Sequence, residues 1–452
     1  MESLLYLLGV ILAIIGIGAS IALHEVGHLV PAKRFGVKVT QYMVGFGPTI
    51  WSRHGRETEY GIKAIPLGGY IRMIGMYPPP KGAPAGAAGA GTTGRFQVLA
   101  EEARAAAWEE VQPGDEGRVF YRQSVPRKVT VMLGGPTMNL LISAVLFTVL
   151  FVGIGVPTPT TSIAAVYECV PPSMSSAQAA QAALDDPAAA RDEQCPAGAT
   201  PSPALEAGLQ AGERIVTVDG QDVSQWSQLT AVTRSAPGEQ VVLGIESDTG
   251  TREVSVTLAT AYRPTLDVDG MPTDEITATG YLGLAPQSQY VPQPLAEVPQ
   301  TMWSISVRSA EALLTLPVRV AELARDMVTG QERDPESPVS VVGVGRISGE
   351  VAAAEQPLKS KSATLLSLLA GLNLFLFLFN LIPLLPLDGG HVAGALWEGL
   401  RRRIAAWRGL PDPGPVDVSK ALPLAYAVGI SLIALSSVVI LADVFNPISL
   451  YG

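Results

Sequence analysis

The sequence predicts a multi-pass α-helical membrane protein with four transmembrane helices and a separate α/β module between the second and third. Three observations carry that prediction. Hydrophobic residues make up 48% of the chain and charged ones only 16%, a charge share below that of ordinary soluble domains. Four stretches, about 4–30, 129–156, 362–387 and 421–442, are apolar and each about 20 residues or longer. That is enough to cross a hydrocarbon core roughly 30 Å thick. Between the second and third stretches the pattern changes to short alternating runs broken by Ala-Gly and Asp-Gly turns, the mark of strands and hairpins.

The first span, residues 1–31, has no charged residue from Leu4 through Leu23 and then presents His24-Glu25-Val26-Gly27-His28. Residues four apart on a helix lie about 40° apart around the axis, so His24 and His28 project side by side. Two neutral imidazoles at that spacing can share one zinc ion, with Glu25 beside them as a proton acceptor. Ionisable groups at membrane depth are costly and usually functional. The N-terminus carries Glu2 and no basic residue, whereas Lys33 and Arg34 follow the span. A secretory signal has the opposite bias, so a retained anchor with its N-terminus outside is expected.

Residues 32–77 contain Val44-Gly45-Phe46-Gly47-Pro48 and Ala64-Ile65-Pro66-Leu67-Gly68-Gly69-Tyr70-Ile71-Arg72. These runs are apolar, alternating and glycine-punctuated, and read as a hairpin. His54 sits in a polar stretch of this region and is set aside. Residues 78–126 begin with Pro78-Pro79-Pro80-Lys81-Gly82 and stay rich in Pro, Gly and Ala through Gly94, as a flexible insertion would. The second span, 127–156, includes Gly134-Gly135-Pro136-Thr137-Met138-Asn139.

An Ala-rich segment, 157–199, holds both cysteines, Cys169 and Cys195. Neither has metal-binding spacing; a structural disulfide and two free thiols are the two readings. In residues 200–288, the run Ser202 to Gly220 reads as a short helix, a tight turn and an alternating strand ending in Asp219-Gly220. A helix near Trp226–Thr233 and strands at Gln240–Glu246 and Thr251–Leu258 follow. The pattern looks like a PDZ domain, with Gly280-Tyr281-Leu282-Gly283-Leu284 resembling its peptide-accepting loop and strand. Residues 289–361 form an amphipathic helical linker, because Arg308, Glu311, Arg319 and Glu322 interrupt an otherwise apolar run.

The third span, 362–391, ends in Asn380-Leu381-Ile382-Pro383-Leu384-Leu385-Pro386-Leu387-Asp388-Gly389-Gly390-His391. Asp388 can supply a third metal ligand, leaving the fourth position for water or substrate; an Asp-Gly-Gly here is also a capping turn, and His391 competes as ligand. A basic loop, 392–420, and a fourth span, 421–444, complete the chain.

Loop charge orients the spans. Residues 31–128 carry 14 Lys/Arg against 8 Asp/Glu, residues 157–361 carry 12 against 26, and the last loop holds Arg401-Arg402-Arg403 and Arg408. The excess of basic residues marks the first and last loops as cytoplasmic, with both termini and the central region outside the cell membrane. The net charge of −10 comes mainly from that outer region, which disfavours nucleic acid as a partner.

HEVGH in the first span, Gly134–Asn139 in the second, and Asn-x-x-Pro followed by Leu-Asp-Gly-Gly in the third together resemble the site-2 proteases, zinc metalloproteases that cut within membranes. A single PDZ-like domain between the second and third spans is similar to the regulator-of-sigma-E protease branch, particularly its one-PDZ actinobacterial members. The resemblance implies zinc held by His24, His28 and Asp388, with Glu25 as general base. It also implies a β-hairpin dipping toward the bilayer, its edge, around Gly68 and Gly69, able to pair with an unwound substrate. Asn380 and Asn139 can add amides to such a substrate or act as glue between helices. The implied substrates are single-span membrane proteins such as anti-sigma factors already trimmed by a first protease. The PDZ-like domain either excludes untrimmed substrates by size or recruits chain ends by strand addition at Tyr281, Leu282, Gly283 and Leu284. A silent membrane scaffold is the reading from another class; the intact set of His24, Glu25, His28 and Asp388 argues against it. A transporter would need inverted repeats and paired broken helices, which this sequence lacks.

Overall fold

The computed structural model describes residues 2–79, 108–185, 195–196, 199–266, 272–331, 333–334 and 337–448. The chain divides into two compact units, Met1–Ile154 with Gln293–Gly452, and Gly155–Pro292.

The larger unit opens with helix α1, Glu2–Arg34, whose last turn carries Lys33 and Arg34 at the negative end of the helix dipole. Strands β1, Val39–His54, and β2, Glu59–Met73, pair antiparallel. Each strand bends, so the expected hairpin is folded back on itself. Residues 41–44 pair on one side with 59–62 and on the other with 69–72, while 49–54 pair with 59–63. The result is four short segments in the order 49–54, 59–63, 41–44, 69–72. The bends fall at Gly45, Gly47 and Gly68, with φ of 93°, 82° and 101°, a region closed to most L-residues. Around them Phe46, Ile50, Trp51, Ile62 and Ile65 are exposed, an apolar tip on a ladder whose base packs into the core with Val39 and Met73.

Residues 80–107, most of the insertion read as flexible, lie outside the described residues. From 108 onward the expectation fails: Phe120 is buried and its N–H donates to Ile74 O, while Lys38 N–H donates to Arg118 O. Backbone pairing to the base of the hairpin holds this segment. Helix α2, Val125–Thr148, then starts with proline in its first turn and continues as a π-helical turn through Ile154. It meets α1 where Gly27 and Gly134 touch. A Cβ on Gly134 would lie 2.0 Å from Gly27 O, and one on Gly27 2.3 Å from Gly134 O, so the backbones are closer than any side chain allows.

The second unit comprises β3 Val156–Val166, α3 Ala177–Asp185, α4 Pro203–Glu206, β4 Arg214–Val218, β5 Gln221–Asp222, α5 Trp226–Ser235, β6 Gln240–Ser247, β7 Gly250–Thr257, β8 Ala259–Leu266, β9 Pro272–Tyr281 and β10 Leu284–Val291. Its main sheet has the order β10-β3-β4-β6-β7, with β5 on β4, and β8 and β9 form a separate hairpin. Ile163, Ile215, Leu229, Leu243 and Ile245 pack together between the sheet and α5. The unit is larger than the 200–288 read from sequence. Strand β3 belongs to it because Ile163, only 1% exposed, fills the same core; the Ala-rich run downstream masks that alternation. Ser202 caps α4 by accepting from Leu205 N–H, as the sequence pattern anticipates.

The larger unit resumes with α6 Glu297–Thr329, α7 Val341–Ala353, α8 Leu358–Asn380, α9 Asp388–Trp407 and α10 Leu422–Phe445. The expected amphipathic linker is two helices, α6 and α7. Among the described residues, four helices are long and apolar enough to cross a membrane: Glu2–Arg34, Val125–Ile154, Leu358–Asn380 and Val418–Phe445. The third span differs from the continuous 362–391 helix read from sequence. It stops at Asn380, passes through a turn holding Pro383 and Pro386, which interrupt helical hydrogen bonding, and restarts at Asp388. Residues 392–407, expected as loop, continue α9. Its buried face carries Glu398, 2% exposed, which accepts from Lys128 Nζ at 2.8 Å and from Val416 N–H at 3.0 Å.

Candidate metal centre

Helix spacing places the first two candidates. His24 and His28 stand one turn apart on α1, their rings edge to face with centroids 4.9 Å apart. The break before α9 aims Asp388, its first residue, at them. His24 Nε2 and His28 Nε2 are 3.2 Å apart, and Asp388 Oδ2 lies 3.4 and 3.3 Å from them. Tetrahedral zinc bonds of about 2.05 Å separate neighbouring ligand atoms by about 3.3 Å. The three atoms therefore already have the spacing of one face of such a site. Among the described residues they are the group able to hold a metal ion.

The protonation pattern agrees. His28 Nδ1 lies 2.8 Å from Val131 O, a bond that requires the proton on Nδ1 and leaves Nε2 with its lone pair free. Asp388 Oδ2 is buried without a hydrogen-bond donor. With His28 neutral, its Nε2 lone pair and Asp388 Oδ2 face each other as buried acceptors, an arrangement that a cation between them relieves. The donor set fits zinc.

Gly135 supplies the floor. A Cβ there would lie 2.2 Å from His28 Nε2 and 2.6 Å from His24 Nε2, so any side chain at 135 would occupy the space of the ligand atoms. Glu25 is 7% exposed and accepts a hydrogen bond from the backbone N–H of Ile71. Gly69 makes that approach possible: a Cβ on it would be 2.9 Å from Glu25 Cγ and 3.0 Å from Ile21 Cγ2. The edge segment 69–72 of the folded hairpin thus lies directly beside Glu25. Gly68, one residue earlier, makes the bend.

Other candidates fall elsewhere. His391 does not join the three converging ligand atoms. His54 is 80% exposed, with Nε2 3.8 Å from Glu59 Oε1 in the hairpin. Asn380 donates to Leu376 O at 3.0 Å on its own helix. Asn139, 1% exposed, lies one turn beyond Gly135 and keeps a buried Oδ1 without a donor. In the second unit, Tyr281 and Leu282 are each 6% exposed, Gly283 turns with φ 90°, and Leu284 opens β10, opposite Val166. Strand β10 ends the sheet order. Cys169 and Cys195 are joined as a disulfide across 26 residues.

Sequence reasoning missed Asn373. It is fully buried on α8 and donates to Ser20 Oγ at 3.0 Å, one turn before His24, and to Leu369 O at 2.8 Å. A second Asn, besides Asn380, in an uncharged stretch was the available signal.

The sequence profile of Peptidase family M50 matches residues 12–409. Zinc metalloprotease Rip1 of Mycobacterium tuberculosis (strain H37Rv) is 32% identical over 456 residues, covering 99% of this chain and all of that protein. Zinc metalloprotease Rip1 of Mycolicibacterium smegmatis is also 32% identical, over 98% of this chain and 99% of the relative. Regulator of sigma-E protease RseP of Salmonella typhimurium (strain 14028s) is 26% identical over 86% of this chain and 90% of its own.

Proposed function

The chain belongs to peptidase family M50, the site-2 proteases, and from that premise we propose that it cuts single-span membrane proteins within or near their transmembrane segment. It is a zinc metalloprotease with membrane-spanning helices. The observation that carries the proposal is the convergence of His24 and His28, on a helix long enough to cross a bilayer, with Asp388 beside buried Glu25.

In this reading His24, His28 and Asp388 hold the zinc, which supplies a strong Lewis acid for the scissile carbonyl and for water. Glu25 accepts the water proton and returns it to the leaving amine. The Ile71 N–H orients its carboxylate. A peptide bond inside a helix is wrapped by side chains, so the substrate must unwind, and each freed backbone group needs a partner in hydrocarbon. The edge 69–72, beside Glu25, offers donors and acceptors where cutting takes place. Asn139 offers a further amide.

Anti-sigma factors already trimmed outside the membrane are the proposed substrate class, in the cell membrane, with both termini and the PDZ-like unit outside. That unit is read as a size gate, and its edge strand β10 supports weak capture of chain ends through Tyr281–Leu284. Co-expression with candidate single-span proteins tests the proposal. Wild type should cleave, and Glu25→Gln should retain zinc and fold but not cleave, because an amide cannot accept the proton. Normal turnover in that variant would sink the mechanism.

A further inference from the structure

Helix α9, Asp388–Trp407, has two faces with different fates. One is tied down: Glu398 pairs with Lys128 at 2.8 Å and with Arg402 at 3.1 Å, while Ala395 and Ala405 are buried. The opposite face is open and apolar. Leu396, Trp397, Leu400, Ile404 and Trp407 are 57%, 54%, 48%, 39% and 85% exposed. At 100° per residue they fall within an arc of about 100°. Arg403 flanks this arc on one side, and Arg401 and Arg408 on the other. Among the described residues none of these three arginines has an ion-pair partner; Arg402, on the buried side, pairs with Glu398 and Asp412.

An apolar stripe with tryptophans near its start and at its end, bordered by cations, matches the interface between acyl chains and headgroups. Water would leave five large apolar side chains unfavourably solvated. A neutral protein surface would leave the flanking arginines without partners. We propose that α9 is an interfacial anchor whose open face reaches the bilayer surface and grips anionic lipid headgroups through Arg401, Arg403 and Arg408. Its apolar stripe seats among the upper acyl carbons, and the arginine stems extend along it to the phosphates. The partner is thus an anionic leaflet, and the surface belongs to a helix whose first residue is the proposed metal ligand Asp388. The proposal rests on the reading of the chain as membrane-embedded.

The test uses the full-length zinc-loaded protein in phosphatidylcholine vesicles, with and without phosphatidylglycerol. Brominated lipid should quench a fluorescence component present in wild type and absent from the Trp397→Phe/Trp407→Phe variant. The preference for phosphatidylglycerol over phosphatidylcholine, read from retained lipid by mass spectrometry, should fall at least about fivefold in the Arg401→Gln/Arg403→Gln/Arg408→Gln variant. That is the factor for about 1 kcal/mol, the usual worth of one such arginine. A component quenched by aqueous iodide instead would place the face in water. One shielded from both quenchers would place it against a protein, a second copy included. Either result, or an unchanged lipid preference in the arginine variant, overturns the proposal. Neither readout is proteolysis, so failure leaves the protease reading standing.

Discussion

At the scale of single residues, the metal centre depends on which atoms are absent as much as on which are present. Gly135 places a hydrogen where any other residue would place a carbon against both imidazoles. Gly135→Ala should therefore push His24 or His28 off position and lower zinc affinity by about 10- to 100-fold, the range seen when ligand-orienting contacts are lost. Zinc titration against a chelator measures it, and full affinity would mean that the helices relax without cost. Asp388→Asn and His24→Ala should lower both zinc content and cleavage. Full zinc retention in Asp388→Asn would pass the ligand role to another group, with His391 the nearest in sequence. The histidine pair, Glu25 and Asp388 were legible because motif chemistry fixes residue type and spacing. Gly135 was legible only as part of a motif, and Asn373 and Ser20 were not, because their importance comes from which helices cross and at what depth. Sequence periodicity does not encode that depth.

At the scale of elements, the folded hairpin is the part that sequence alone under-described. Its glycines announced turns, but the double pairing of residues 41–44 arises only when both strands bend and register is chosen by packing. The consequence is an edge segment, 69–72, delivered to Glu25. Ile71→Pro removes the N–H that Glu25 accepts. Cleavage should fall by at least about tenfold, a barrier rise of about 1.4 kcal/mol, while zinc content stays near wild type. Loss of zinc as well would mean that the strand supports the ligands and not only the base. The third span was also misread, because an apolar run hides a helix break until the prolines are weighed; Pro383 and Pro386 end the ladder and free Asp388 to start a new helix. The disulfide makes a separate claim. In protein from an oxidising compartment, alkylation before reduction should label neither Cys169 nor Cys195. Closure of this 26-residue separation contributes roughly 3 kcal/mol in the chain-entropy model. Labelling of both thiols would remove the bridge from the native protein.

At the scale of the whole molecule, the Gly155–Pro292 unit is an insertion whose flanks are neighbours. Gln293 N–H donates to Phe151 O at 2.8 Å in the larger unit, and Val156 pairs with Val291 in the smaller. Excising residues 155–292 and joining the ends with a short glycine linker should therefore leave the metal centre intact, with zinc content unchanged. If the unit gates by size, the deletion should admit substrates that keep their outer domain and spare cleavage of trimmed ones. Slower cutting of the trimmed form would instead assign it to recruitment. Leu282→Pro separates the two, since size exclusion tolerates a lost backbone donor and strand addition does not.

The three converging ligand atoms are also far apart in time. His24 and His28 leave the ribosome before Asp388, which follows about 360 residues later, roughly 20–70 s at ordinary elongation rates. For that interval the nascent chain holds two thirds of a ligand set and no aspartate to complete it. In the proposed ligand set, the site stays incomplete while the later spans are being made.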